Sequence, residues 1–268
     1  MKKGNRTILL ILAAAATFAA ACKKVITIDL NNVAPQIVIE GEVTNGKGPY
    51  QVKISKTVNF SADNVYPAVT NATVMITDST AQITEKLYQA DSGVYQTRVI
   101  IGAPQHVYAL NVTVDGKQYT AVSIMPKQVL LDSVTFALNF DFNNKQQINA
   151  VVNFKDPPGL GNYYQFTETV NDRLIPNVFV FEDRLSDGRY IEQPLFNDSA
   201  YLKTDDVLVL TMNCVDKNNY NYFFTLANVT GNNNFQTATP ANPVTNISNG
   251  ALGYFSAHTT QRAHLSVY

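Results

Sequence analysis

Tryptophan is absent, cysteine occurs twice and histidine three times in 268 residues. Cys22 and Cys214 alone cannot form a disulfide scaffold, so the fold must rest on apolar burial and hydrogen bonding. Charge is scarce as well: Asp, Glu, Lys and Arg make up 15% of the chain, against about a quarter in typical domains. No basic tract occurs, and with it goes the electrostatic footprint that nucleic-acid binding requires. His258 and His264 stand six apart, a spacing that suits no chelating pair on one face of a helix or strand. No His-Glu-x-x-His or paired Cys-x-x-Cys is found, and Asp141-Phe142-Asn143-Asn144 lacks the glycine and late Glu of a calcium loop. Neither a metal nor a cofactor is expected. Catalytic signatures are missing too: there is no Gly-x-Ser-x-Gly elbow, no Ser-x-x-Lys and no Gly-rich phosphate loop. Glu182-Asp183 and Asp205-Asp206 are sequence neighbours, and adjacent strand residues face opposite ways. They read as solvated turn residues, and the chain is not expected to be an enzyme.

What is present begins at the N-terminus. Lys2, Lys3 and Arg6 precede a largely apolar run from Ile8 to Ala21, the layout of a secretory signal peptide. The run falls short of the roughly 20 apolar residues that span a bilayer. Cys22 follows Ala19-Ala20-Ala21 and resembles the lipid-accepting cysteine of a bacterial lipobox, although Ala19 stands where Leu is usual. The expected organisation is a signal peptide at 1–21 and a lipidated tether at 22–34. Lys23-Lys24 follow the cysteine and the first acid is Asp29, a departure from acidic surface-export signals. Periplasmic and surface faces both stay open. Without Lys2, Lys3 and Arg6, 17 basic residues face 21 acidic ones, a net charge of −4.

From Pro35 onward the chain is written in period two. Ile37 to Val43 alternates as a half-buried strand, and Tyr50, Val52 and Ile54 continue the pattern after a turn at Asn45 to Pro49. Ala72 to Thr77 is β-rich, and Tyr95, Thr97 and Val99 share a face. Tyr108, Leu110, Val112 and Val114 line one side of a strand that turns at Asp115-Gly116 and returns from Tyr119 to Ile124. This predicts an antiparallel sandwich over 35–126. A second β-rich domain is expected over 127–268, with strands at 133–138, 149–154, 163–170 and 207–215. One segment breaks the pattern. Tyr220, Phe223, Phe224 and Ala227 fall at helical spacing behind Asp216, a candidate N-cap, which predicts a short amphipathic helix. The fold class is therefore all-β with one short helix. Cys214 reads as a small buried hydrophobe.

Two features admit a site as well as a structural reading. Asn246, Asn249 and Gly250 allow sharp turns before Leu252-Gly253-Tyr254-Phe255 enters a core strand. With Tyr254 they form either a plug that closes the domain or a loop facing a ligand or partner. Tyr163, Tyr164, Tyr220 and Tyr222 form either core packing or an aromatic surface. Asp132-Ser133-Val134 and Asp198-Ser199-Ala200 match short O-glycan acceptor patterns as well as plain turn chemistry.

The order of these pieces resembles a family. A cysteine and tether followed by Ile37-Val38-Ile39-Glu40-Gly41-Glu42-Val43 and Gly48-Pro49-Tyr50-Gln51-Val52 is similar to the opening hairpin of the Bacteroidota lipoproteins grouped as domain of unknown function four-two-four-nine. Ala72 to Asp78, Gly93-Val94-Tyr95, Tyr108-Ala109-Leu110 and Gly116 to Tyr119 continue the match, and Asn242 to Ala257 resembles its C-terminal signature. Asn249 and Asn71 stand where glycine is usual. The resemblance implies a prealbumin-like or immunoglobulin-like N-terminal sandwich, a second β-rich domain and an outer-membrane lipoprotein. It also implies frequent association with TonB-dependent receptors, and it carries no activity. The expected role is a non-catalytic accessory or binding subunit of nutrient uptake, anchored by lipid; the small-molecule or glycan ligand is unknown. The alternative is a structural or adhesive envelope protein without a small ligand.

Overall fold

Alternating apolar and polar residues make strands wherever one face can be buried, and this chain does so fifteen times among its described residues. The structure, a computed structural model, describes residues 34–59, 63, 65–140, 146–197, 202–229 and 242–268. The expected signal peptide, Cys22 and most of the tether lie outside these residues, as do Asp141 to Asn144 and the Asp198-Ser199-Ala200 pattern.

In the first half the strands are β1 (Ile37–Thr44), β2 (Gln51–Lys56), β3 (Thr73–Asp78), β4 (Ile83–Lys86), β5 (Tyr88–Asp91), β6 (Val94–Gln96), β7 (Val107–Val114) and β8 (Lys117–Ile124). Then follow β9 (Leu131–Phe140), β10 (Gln146–Lys155), β11 (Tyr163–Val170), β12 (Arg173–Glu182), β13 (Tyr190–Pro194), β14 (Val207–Val215), helix α1 (Lys217–Val229) and β15 (Leu252–Ser266). Among the described residues the all-β expectation with one short helix holds. Tyr108, Leu110, Val112 and Val114 are all buried on β7, as their spacing predicts. Asp115 and Gly116 carry φ of 49° and 78° at the turn into β8, a pair of positive values that Asp-Gly accommodates.

Three sheets result. The largest runs β12-β11-β14-β15-β1-β2-β6-β5, the others β4-β3-β7-β8 and β13-β10-β9. One apolar core, with Ile39, Ile54, Ile76, Leu110 and Phe255, fills the space between the large sheet and β4-β3-β7-β8. A second, with Phe154, Phe166, Leu210 and Met212, fills the space between the large sheet and β13-β10-β9. Cys214 belongs to this second core, where burial raises the pKa of its thiol.

β15 joins the two sandwiches. Leu252 to His258 pair in parallel with Val38 to Thr44 of β1, and Thr259 to Ser266 pair antiparallel with β14. Ile247, Ala251, Phe255 and Ala257 therefore sit in the first core. A division of the chain at 126/127 assigns these residues to the second domain, although they fill the first core.

Two expectations on packing need correction. Val99 does not share the buried face of Tyr95 and Thr97 but is 65% exposed. β6 ends at Gln96, and the Glu85 carboxylate then accepts the N–H groups of Arg98, Val99 and Ile100, the last at 2.9 Å. Helix α1 is present, and Asp216 caps it by accepting the Asn219 N–H at 2.9 Å. Its buried face, however, is Asn219, Tyr222 and Phe223, while Phe224 is 47% exposed. Asn219 turns inward because its amide donates to Asp216 Oδ1, Ser123 Oγ and the Phe255 carbonyl.

Candidate functional site

The inner face of the large sheet is spent on the two cores. Its outer face carries a groove of about 790 Å³. Because strand side chains alternate, the even residues from Tyr254 to His264 of β15 line it: Tyr254, Ser256, His258, Thr260, Arg262 and His264. Register then lays polar groups out in rows. Gln165, Asn213 and Thr260 form one row, Thr167, Thr211 and Arg262 the next. Glu42 of β1 stands opposite Ser256, and Thr44 opposite His258. Phe223 of α1 and Tyr254 close one end.

The floor is buried and polar. Gln165, Asn213, Ser256 and His258 are each under a tenth exposed. Asn213 Nδ2 donates to Gln165 Oε1 at 3.0 Å, yet Asn213 Oδ1 has no partner. Ser256 Oγ lies 3.0 Å from His258 Nδ1. Burial pulls the His258 pKa down to about 4, so the imidazole is neutral at neutral pH. Glu42 has an open surface but stands in a concavity, and desolvation there raises its carboxyl pKa against the pull of Arg262. Burial also raises the Tyr254 hydroxyl, helped by Glu42 and Glu40.

Three of the four residues of the expected loop hold backbone groups or turns. Asn246 bonds both backbone groups of Phe255, and Asn249 Nδ2 donates to the Gln118 carbonyl at 2.7 Å. Asn249 and Gly250 hold φ of 58° and 73° in the turn between them. Thr120 and Ser248 exchange backbone and hydroxyl bonds, so this segment lies along the β8 edge. Only Tyr254 faces the groove. The expected aromatic surface divides as well. Tyr163 packs at a tilt on Tyr220 at 5.0 Å, and Tyr222 packs on Tyr254 at 5.0 Å. Tyr164 is no surface residue: period two turns it into the second core, where its hydroxyl donates to buried Asp156.

Sequence reasoning missed the groove. The signal was present in the polar even positions of 256–264, but the histidines were weighed only as a metal pair and the alternation around them was left unread. It also missed Asp156 and Asp187, and Asp183, expected to be a solvated turn residue, is buried; the carboxylate oxygens of the three come within 4.8 Å of one another. All three accept backbone N–H groups of the 159–162 and 188 turns, so they staple two loops together. Among the described residues no helix is long and apolar enough to cross a membrane.

No curated protein matches the chain. Among solved structures, an α-L-rhamnosidase from Dictyoglumus thermophilum is similar at 10% identity and a TM-score of 0.26. The similarity covers 69% of this chain and only 28% of that protein's length, and it carries no argument about fold or activity. The family described as Domain of unknown function (DUF4249) matches residues 23–263, which takes in both sandwiches, helix α1 and nearly all of β15, and the chain belongs to that family.

Proposed function

We propose that the protein is a lipid-anchored, non-catalytic binding subunit of the outer membrane, accessory to a TonB-dependent uptake receptor, and that it captures its ligand in the polar groove. The observation that carries this reading is the buried floor of the groove, where Asn213 Oδ1 lacks a partner. A buried acceptor left unmade costs about 1–3 kcal/mol, and a ligand can recover that cost. The absence of catalysis is supported by His258. An imidazole with a pKa near 4 is a poor general base at neutral pH, so Ser256 beside it is not activated.

The address rests on Cys22 and the segment before it. Each buried methylene of an acyl chain adds about 0.8 kcal/mol, so two or three chains anchor firmly. Fractionation of a Cys22→Ala variant tests the anchor: the variant should leave the membrane pellet. Mild solubilisation of tagged wild type should bring a TonB-dependent receptor with it. A variant that still pellets, or recovery of the bait alone, counts against this reading and favours a structural envelope protein.

A further inference from the structure

Resting on the reading of the groove as a capture site, we propose that its ligand is a neutral saccharide. The row Gln165–Asn213–Thr260 states the requirement. Asn213 is 8% exposed, its Nδ2 is committed to Gln165 Oε1, and its Oδ1 is left open. The open acceptor thus stands at the floor with the Gln165 amide, whose Nε2 is a donor group, beside it, and Thr167 and Thr211 add hydroxyls one row away. A sugar hydroxyl donates and accepts at once. Neighbouring hydroxyls on one ring can satisfy the acceptor and the donor together, which a purely accepting or purely donating ion cannot.

Charge points the same way. Acidic Glu42 and basic Lys47 and Arg262 all line the groove. His258 adds no charge at neutral pH. A strongly charged ligand of either sign would meet a like charge as well as an opposite one. Phe223 and Tyr254, packed edge to face at 4.9 Å, make an apolar aromatic wall at one end, against which the apolar side of a pyranose can rest. A volume of about 790 Å³ lies within the range of small-ligand pockets, roughly 300–1,000 Å³, and admits a few sugar rings. A peptide fits less well. Peptides gain affinity by adding to a sheet edge, whereas this groove runs over a sheet face and offers side chains alone.

Calorimetry on the purified, detergent-solubilised lipoprotein tests the proposal. The probes are neutral trisaccharides of glucose, mannose, galactose, xylose and N-acetylglucosamine, with trialanine as the peptide. At least one trisaccharide should bind at micromolar to millimolar concentration. Gln165→Ala and Asn213→Ala should each weaken it about tenfold, the loss of one good hydrogen bond. Thr167→Val serves in their place where either fails to fold, and Ser133→Ala on exposed β9 should change nothing. Binding undiminished by the groove variants would place the site elsewhere and overturn the proposal. No saccharide binding at millimolar concentration overturns it as well. Trialanine bound instead, and weakened by the same variants, overturns the saccharide while leaving capture in the groove intact. The lipid anchor and the receptor stand or fall separately, on the Cys22→Ala fractionation.

Discussion

Asn246 pairs with Phe255 as a neighbouring strand would. Its Nδ2 donates to the Phe255 carbonyl at 2.7 Å, and its Oδ1 accepts the Phe255 N–H at 3.0 Å. One side chain thus completes the hydrogen bonding of β15 at the point where that strand carries Phe255 into the first core. Asn246→Ala strands the buried Phe255 N–H, because the carbonyl keeps its bond from Asn219. We expect a loss of about 2 kcal/mol in chemical unfolding. Ligand affinity of the folded protein should stay unchanged, since Asn246 does not line the groove. A variant that keeps full stability but loses binding would return this segment to the role of a recognition loop.

Gly253 makes the parallel pairing of β1 and β15 possible. It holds φ of 93°, and a Cβ there would lie 2.0 Å from the Ile39 carbonyl oxygen. Backbone cannot yield as a flexible side chain can. Gly253→Ala should cost about 3 kcal/mol or more, through a strained φ and forced separation of the strands. The measurement is thermal unfolding. An unchanged midpoint would mean that the two strands are not held together at this point.

Asp216 ties the helix to the first sandwich. Its Oδ1 caps α1, and its Oδ2 accepts the Ser123 hydroxyl at 2.6 Å and the Ile124 N–H at 3.1 Å. Removing the carboxylate in Asp216→Ala loses the cap and leaves the buried Ser123 hydroxyl proton and the Ile124 N–H without their acceptor. The expected destabilisation is about 2 kcal/mol. Asp216→Asn keeps one accepting oxygen, enough for the cap, and should recover part of it. Equal losses in the two variants would assign the effect to the charged second oxygen, which holds Ser123 and Ile124, rather than to capping.

Local chemistry made much of this legible. The alternation of β7, the Asp115-Gly116 turn and the Asp216 cap each depend on residues close in sequence, and each is where the sequence puts it. The groove depends on pairings between distant segments. Nothing near Ser256 or His258 announces that β1, more than 200 residues earlier, will lie beside them. A polar residue at every second position looks alike on a solvated face and on the floor of a cleft. Asn219 misleads for a related reason. Helical spacing selects apolar residues for the inward face, whereas the Phe255 carbonyl and Ser123 hydroxyl select an amide.

Glu168 and His258 give opposing dependences on pH. Glu168 is fully buried in the second sandwich, where Asn197 donates to its Oε2 and its Oε1 has no partner. Burial pushes its pKa up to about 7, from 4.5. The native state therefore holds a proton that the unfolded chain releases, and stability falls as pH rises from 4.5 to about 7. His258 is the reverse case. Its pKa drops from 6.5 to about 4 on folding, so the unfolded chain takes up a proton that the native state refuses. Stability is present above 6.5 and is lost as pH falls towards 4. Between 4.5 and 6.5 the two slopes cancel in large part, and the wild type should look nearly indifferent to pH there. Glu168→Gln removes one slope and His258→Gln the other. In urea unfolding the first variant should lose stability on acidification through this window, and the second should gain it, each by about 2 kcal/mol. The same slope in both variants would show that neither group carries its shifted pKa in the folded protein.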